Sequence, residues 1–200
     1  MRPAPDAGHC AFMPPAPRDH SPGAHHVWVN ATGRKAYFID DVDRMDWIRQ
    51  LVGTLEFCGW RCLCFAQLTT HVHLLVDVPD LSLPLGMKRL NHRYSTDFNG
   101  RHGRHGQFVR RRYGNRRIVS AGDLVGAYAY LVLNPVAAGL VSRPEDWRWS
   151  SYTTTLGLTS DFSFVDPSLV LAELGGSVEA LRTVVTSRCA DLALSATAGV

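Results

Sequence analysis

The sequence predicts an α+β domain: a ferredoxin-like, split βαβ antiparallel sheet with helices on one face, followed by a further C-terminal helix. Two observations support this prediction, namely the order of the elements and the period of the apolar residues. Segments with the β-branched and aromatic composition of strands alternate with segments whose apolar residues recur every three or four positions. The resulting order is strand, helix, strand, strand, helix, strand, helix, and its first six members suit a split βαβ sheet.

Each element follows from a local pattern. Residues 25–30 (HHVWVN) have strand composition, and residues 41–57 have helical spacing, with Asp40 or Asp41 as the cap and Gly59 at the end. Ser120 and Asp123 resemble the start of a capping box. The remaining predicted elements are two strands, a helix, a short strand and a last helix: 60–68, 71–76, 83–98, 117–119 and 120–133.

Composition sets the domain organisation and excludes some protein classes. The chain has 200 residues, of which 46% are hydrophobic and 20% charged, so disorder throughout is excluded. Residues 1–24 are rich in proline and are predicted to be a flexible tail, 25–155 to be the domain, and 156–200 to be a helical extension. No apolar run reaches the ~20 residues that span a membrane, and no secretory signal is present. A cytoplasmic protein is expected.

Five cysteines, an odd number, argue against a secreted disulfide scaffold. Cys58, Cys62 and Cys64 resemble a loose metal cluster. Cys62 and Cys64 are two positions apart in an apolar run, however, so we expect them to share one strand face as core residues.

His71 and His73 form a His-x-His pair at the start of a predicted strand. Side chains alternate along a strand, so both imidazoles are expected on the same side, where they could share one divalent metal. The pair alone is a weak indication, since two ordinary strand histidines are more common. A third ligand and a chemical partner are needed to favour a metal site.

The predicted last helix has two different faces. Leu124, Tyr128 and Leu131 make a core stripe, whereas Asp123, Gly126, Tyr130 and Asn134 make a small and polar one. On that second face, Tyr130 could supply a nucleophilic oxygen and Asn134 a carbonyl oxygen for a metal. The alternatives are a partly buried helix tyrosine and a helix C-cap, the latter because Pro135 disfavours helical geometry at the residue before it.

Basic residues are concentrated between positions 88 and 117, where Asp97 is the only acid. Arginines dominate the cluster, and arginine favours bidentate contact with phosphate. The cluster therefore predicts nucleic-acid binding rather than a merely solvated face. Four interleaved aromatics suit base stacking as well as they suit a core: Tyr94, Phe98, Phe108 and Tyr113. The ten predicted DNA-binding residues are Lys88, Arg89, Arg93, Arg101, Arg104, Arg110, Arg111, Arg112, Arg116 and Arg117.

Three segments together resemble the REP-associated tyrosine transposases, which belong to the HUH single-tyrosine transposases of bacterial insertion sequences. The resemblance extends over about residues 25–155. Before the histidines this chain has Thr69-Thr70 where relatives often have Pro-Asn. The matching segments are HVHLLVDVPDLSLPLGMKRLNHRYSTDFN (71–99), RHGRHGQFVRRRY (101–113) and YLVLNPVAAGLVSRPEDWRWSSY (130–152).

This resemblance implies a site and a reaction. His71 and His73 match the metal ligands, Tyr130 the nucleophile, and Asn134 the position that completes the metal site. The implied activity is metal-dependent nicking and joining of single-stranded DNA through a 5′-phosphotyrosine, with Mg²⁺ or Mn²⁺ as cofactor. The implied partner is single-stranded or hairpin DNA, bound by a monomer or homodimer. The altered turn before His71 keeps open the alternative of a repeat or hairpin DNA-binding protein with weak catalysis.

Overall fold

The structure, a computed structural model, describes residues 18–109 and 113–197, and the order of its elements is the predicted one. Residues 1–17, most of the predicted tail, lie outside this range. The four strands are β1 (Gly23–Asn30), β2 (Arg61–Gln67), β3 (His71–Val78) and β4 (Gly114–Arg117). The helices are α1 (Asp41–Cys58), α2 (Leu83–Arg101), α3 (Ala121–Ala137), α4 (Tyr152–Thr155), α5 (Ser168–Ala172) and α6 (Val178–Thr197).

The strands form one antiparallel sheet in the order β2-β3-β1-β4. Val27, Val29 and Leu74 point to the face covered by α1 and α2. Leu75 points to the other face, where it packs with α3, α5 and α6. This is the strand order of a split βαβ sheet, so the predicted ferredoxin-like α+β fold is confirmed. None of the described helices is both long and apolar enough to cross a membrane.

Strand β2 contains a bulge that overturns one expectation. Cys62 pairs with Val76 and Cys64 with Leu75, so the register shifts by one residue between the two cysteines. A bulge of this kind adds one residue to one strand and reverses the sides to which the following residues point. Cys62 therefore packs in the α1/α2 core and Cys64 in the α3 core. Both are buried core residues as predicted, but the prediction that they share one face is wrong.

Several element boundaries differ from the sequence prediction by two or more residues, and the differences at β4 and α3 have a physical reason. Strand β4 lies earlier than 117–119 because its pairing partner is β1, with Gly114 opposite Trp28 and Arg117 opposite His25. Helix α3 continues past 133 to Ala137, with Pro135 inside it. Because proline has no N–H, only one backbone hydrogen bond of the helix is lost. The N–H of Ala138 still donates to the Asn134 carbonyl oxygen in the last turn.

A glycine in α2 makes room for Trp60, whose indole N–H donates to Ser82 Oγ at 2.8 Å. A Cβ on Gly86 would lie 2.2 Å from that indole ring. We expect Gly86→Ala to lower the free energy of unfolding by about 1–3 kcal/mol, because the ring must shift. Urea denaturation measures this. Gly53→Ala in α1, where no neighbouring atom lies within 4 Å, is the control and is expected to be neutral or stabilising.

Candidate active site between the sheet and helix α3

An open pocket of about 580 Å³ lies between the sheet and α3. Strands β1 and β3 supply one wall, because their register places Trp28 opposite His73 and Asn30 opposite His71. Side chains paired across an antiparallel ladder point to the same face, so all four project towards α3. The polar and aromatic side chains lining this pocket are His26, Trp28, Asn30, His71, His73, Arg116 and Tyr130.

The two histidines of the His-x-His pair are neighbours in this pocket. The ring centroids of His71 and His73 are 4.9 Å apart, with the ring planes nearly perpendicular. Burial lowers the pKa of His71 below its usual value and that of His73 to about 3. Both imidazoles are therefore neutral near pH 7, which is the form that binds metals.

A third histidine, which the sequence reasoning did not single out, contacts this pair. His26 Nε2 lies 2.9 Å from Nδ1 of His73, and burial lowers the pKa of His26 to about 4. The contact orients the His73 ring and leaves its Nε2 as the ring nitrogen available to a metal. His26 precedes His73 by 47 residues, so only the register of β1 against β3 could have indicated this contact.

Tyr130 lies on α3 at the mouth of the same pocket. Its side chain is 54% exposed, whereas Tyr128 on the same helix is fully buried. The Tyr130 ring centroid is 5.6 Å from that of His73 and 5.7 Å from that of His26. The helix thus buries the stripe of Leu124, Tyr128 and Leu131 and leaves the Tyr130 phenol accessible beside the imidazoles.

Asn134 is not among the residues of this pocket. It lies one turn after Tyr130, and its side-chain Nδ2 donates to the Tyr130 carbonyl oxygen at 2.7 Å. Its side chain lines a separate cavity on the other side of Tyr130. The structure therefore brings His71, His73 and Tyr130 together and places Asn134 next to that group. Its role as a metal ligand stays a prediction.

The imidazole nitrogens of His71 and His73 could hold a divalent metal as its two protein ligands. Within residues 18–109 and 113–197, no group of three His, Cys, Asp or Glu side chains is arranged to hold a metal. His71 and His73 nevertheless present two neutral imidazoles to one open pocket, and Asn30 adds an amide opposite His71. Water or phosphate oxygens would have to supply the remaining ligands, as is usual for Mg²⁺.

The basic residues predicted to bind DNA are spread over several surfaces. Arg116 lines the histidine pocket and lies 3.2 Å from Asp123. Lys88 and Arg93 are exposed on α2, on the opposite face of the sheet. Arg110, Arg111 and Arg112 lie outside the described residues.

The other predicted arginines contact the protein itself. Arg101 forms ion pairs with Asp40 and Asp43. The remaining contacts are those of Arg89 over the Phe57 ring at 4.4 Å, Arg104 over Phe98 at 5.6 Å, and Arg117 with Asp19 at 3.8 Å. These side chains have structural partners, and their part in DNA binding stays a prediction.

The four interleaved aromatics belong to the core. Tyr94, Phe98 and Phe108 are at most 3% exposed and Tyr113 is 8% exposed. Phe98 stacks on Phe108 with centroids 4.0 Å apart, and the Tyr94 hydroxyl donates to the Tyr37 carbonyl. These four residues are therefore core residues, and the alternative prediction that they stack on bases is wrong.

Acid is expected to destabilise the metal-free protein through the buried histidines. The pKa values of His26 and His73 are about 4 and about 3, below the ordinary histidine value of 6.5. Between pH 4 and pH 6.5 the unfolded chain therefore binds more protons at these histidines than the folded protein does. The stability that they contribute is complete above about pH 6.5 and is lost as the pH falls towards 4. Urea denaturation at pH 7 and pH 5 measures the loss. His26→Leu should reduce it, and equal losses in both proteins would contradict the assignment.

No protein-family model matches the sequence, and neither does any curated protein. Among solved structures, a REP-associated tyrosine transposase bound to a REP hairpin superposes on this chain with a TM-score of 0.64. The superposition covers 74% of this chain and 88% of the transposase, at 16% sequence identity. The two chains share a fold. A tRNA(His) guanylyltransferase from Saccharomyces cerevisiae covers 92% of this chain at 9% identity, and its TM-score of 0.39 is too low to indicate a shared fold.

Proposed function

We propose that this protein nicks and rejoins single-stranded DNA beside a hairpin, with Tyr130 as the nucleophile. The observation that carries the proposal is one pocket holding an accessible phenol and two neutral, adjacent imidazoles. The fold shared with a transposase bound to hairpin DNA supports DNA as the substrate. A transposase or a domesticated hairpin-processing enzyme, acting in the cytoplasm at the nucleoid, is the corresponding biological role.

The proposed step is an in-line displacement at phosphorus. The Tyr130 oxygen forms a bond to the phosphorus while the bond from phosphorus to the 3′ oxygen breaks. The phenol proton passes to solvent, and the leaving 3′ oxygen gains a proton to become a hydroxyl. The product is a 5′-phosphotyrosine, and attack by a 3′ hydroxyl on this link reverses the step without an external energy source.

His71 and His73 are the proposed ligands of a divalent metal, Mg²⁺ or Mn²⁺. When bound, the metal polarises a non-bridging phosphate oxygen and so counters the negative charge that develops there. Two imidazoles favour Mn²⁺ over Mg²⁺. His26 holds the His73 ring in position, and Arg116 places a positive charge at the edge of the pocket. Asn134 completes the set only if its side chain turns from the neighbouring cavity towards the histidines.

Covalent capture tests this proposal. We expect labelled hairpin oligonucleotides with single-stranded flanks, incubated with the protein and Mn²⁺, to give a DNA–protein adduct on denaturing gels. Tyr130→Phe should abolish the adduct and keep the melting temperature, because the side chain is half exposed. Tyr128→Phe, two residues away and buried, is the matched control and should retain it. An adduct that persists in Tyr130→Phe would exclude this tyrosine as the nucleophile.

A second candidate function is a hairpin DNA-binding protein without cleavage. One observation favours it: the pocket holds two of the predicted metal ligands, and Asn134 lines a different cavity. This candidate predicts salt-dependent binding of hairpins with no adduct at any Mn²⁺ concentration. The expected slope of log K against log salt is about −0.7 for each phosphate neutralised on a single strand.

A further inference from the structure

Helices α3 and α6 together form a second cavity beside the proposed nucleophile. This cavity has a volume of about 290 Å³ and lies between α3 and α6. Tyr130 lines both this cavity and the histidine pocket, so its phenol stands on the ridge that divides them. A DNA strand with a phosphate at Tyr130 would therefore have its flanking nucleotides directed to one side or the other.

Helix α6 is fixed on α3 next to this ridge. Leu181 and Val185 are buried with the apolar face of α3, and Arg188 Nη1 donates to the carbonyl oxygen of Gly126 at 3.1 Å. Gly126 precedes Tyr130 by one helical turn. The cavity is consequently formed before any ligand arrives, which lowers the entropy cost of binding.

The walls combine apolar surface with a few polar groups. Leu133, Ala137 and Leu192 supply the apolar part. Asn134 donates from Nδ2 to the Tyr130 carbonyl oxygen, which identifies its Oδ1 as the acceptor offered to a ligand. Arg188 and Asp191 add a guanidinium and a carboxylate to the lining.

We propose that this cavity binds one nucleobase of the DNA strand, from a nucleotide adjacent to the scissile phosphate. The proposal rests on the proposed function. Apolar walls with a few directed polar groups are typical of sites for small planar ligands, and about 300 Å³ is the lower end of their size range. Bases carry both donors and acceptors on their edges, which match Asn134 and Arg188.

Nucleotide titrations followed by NMR test the proposal without cleavage. The probes are the four 2′-deoxynucleoside 5′-monophosphates, added to the isotope-labelled full chain in metal-free buffer, with 2-deoxyribose 5-phosphate as the control without a base. We expect at least one nucleotide to shift the Asn134 side-chain amide and the Ala137 and Leu192 backbone amides. The dissociation constant should be on the order of 1 mM. The sugar phosphate should leave these signals in place.

A matched pair of variants locates the site. Ala137→Phe fills the cavity and should abolish the shifts, whereas Ala138→Phe, at the next and exposed position outside the cavity, should keep them. Thermal melting checks that both variants are folded. Shifts that are equal with the sugar phosphate, or absent with all four nucleotides, would overturn the proposal. Failure of the proposed function is separate, because it appears as a missing covalent adduct, whereas these titrations require no reaction.

Discussion

Replacing His73 with alanine is expected to abolish Mn²⁺ binding and, with it, the covalent adduct. The imidazole is 5% exposed and neutral, and its Nδ1 is held by His26, so its Nε2 is an oriented ligand. Of the two proposed metal ligands, only His71 would remain. Calorimetric titration with Mn²⁺ measures the loss directly, and hairpin binding in metal-free buffer should change little, because phosphate contacts dominate that affinity.

The contact between His26 and His73 predicts a graded series. Groups that hydrogen-bond to metal-bound histidines typically contribute about 10–100-fold in metal affinity, so His26→Ala should weaken Mn²⁺ binding by about that factor. His26→Gln should restore part of the loss, because its side-chain oxygen can accept from His73 Nδ1. His25 is the matched control: it is buried on the same strand but points to the opposite face and contacts the Ser21 carbonyl. His25→Ala should affect stability and leave Mn²⁺ affinity unchanged. Equal losses in the two alanine variants would reduce His26 to a packing role.

The fold was predictable because its strongest patterns are local. The helical spacing that begins after Asp40 and the left-handed Gly59 at the end of α1 are both properties of neighbouring residues, and the structure has both. Features that depend on pairing between distant segments were not predictable. The position of β4 is set by its register with β1, and the bulge in β2 by its register with β3. Neither register leaves a pattern in the strand's own sequence.

The site shows the same division between local and long-range information. Strand alternation puts His71 and His73 on one face, and helical spacing separates an accessible Tyr130 from the buried Tyr128. His26 enters the site only through the pairing of β1 with β3. Asn134 has the correct helical spacing from Tyr130, but spacing does not determine a rotamer, and its amide bonds to the Tyr130 carbonyl oxygen. Side-chain hydrogen bonds of this kind compete with a predicted ligand role.

Asp43→Ala is expected to cause the largest loss of stability, about 3 kcal/mol. Asp43 is 1% exposed at the start of α1, and its carboxylate accepts hydrogen bonds from the Ile39 backbone at 2.8 Å, Arg101 at 2.5 Å and His102 at 2.8 Å. Its loss would remove the buried part of the connection between the start of α1 and the end of α2. The value lies at the low end for a broken buried ion pair, because Arg101 keeps Asp40 as a partner. Urea denaturation measures it.

The ion pairs of Arg101 allow a test of which predicted DNA-binding arginines contact the hairpin. Arg101→Ala should lower stability and leave the salt dependence of hairpin binding unchanged, because its guanidinium is occupied by two carboxylates and holds the pKa of Asp40 at about 2. Arg116→Ala, at the edge of the histidine pocket, should do the opposite: stability within about 0.5 kcal/mol and a salt slope smaller by about 0.7. If Arg101→Ala instead flattened the salt slope at unchanged stability, the ion pairs would be dispensable and Arg101 would belong to the DNA surface.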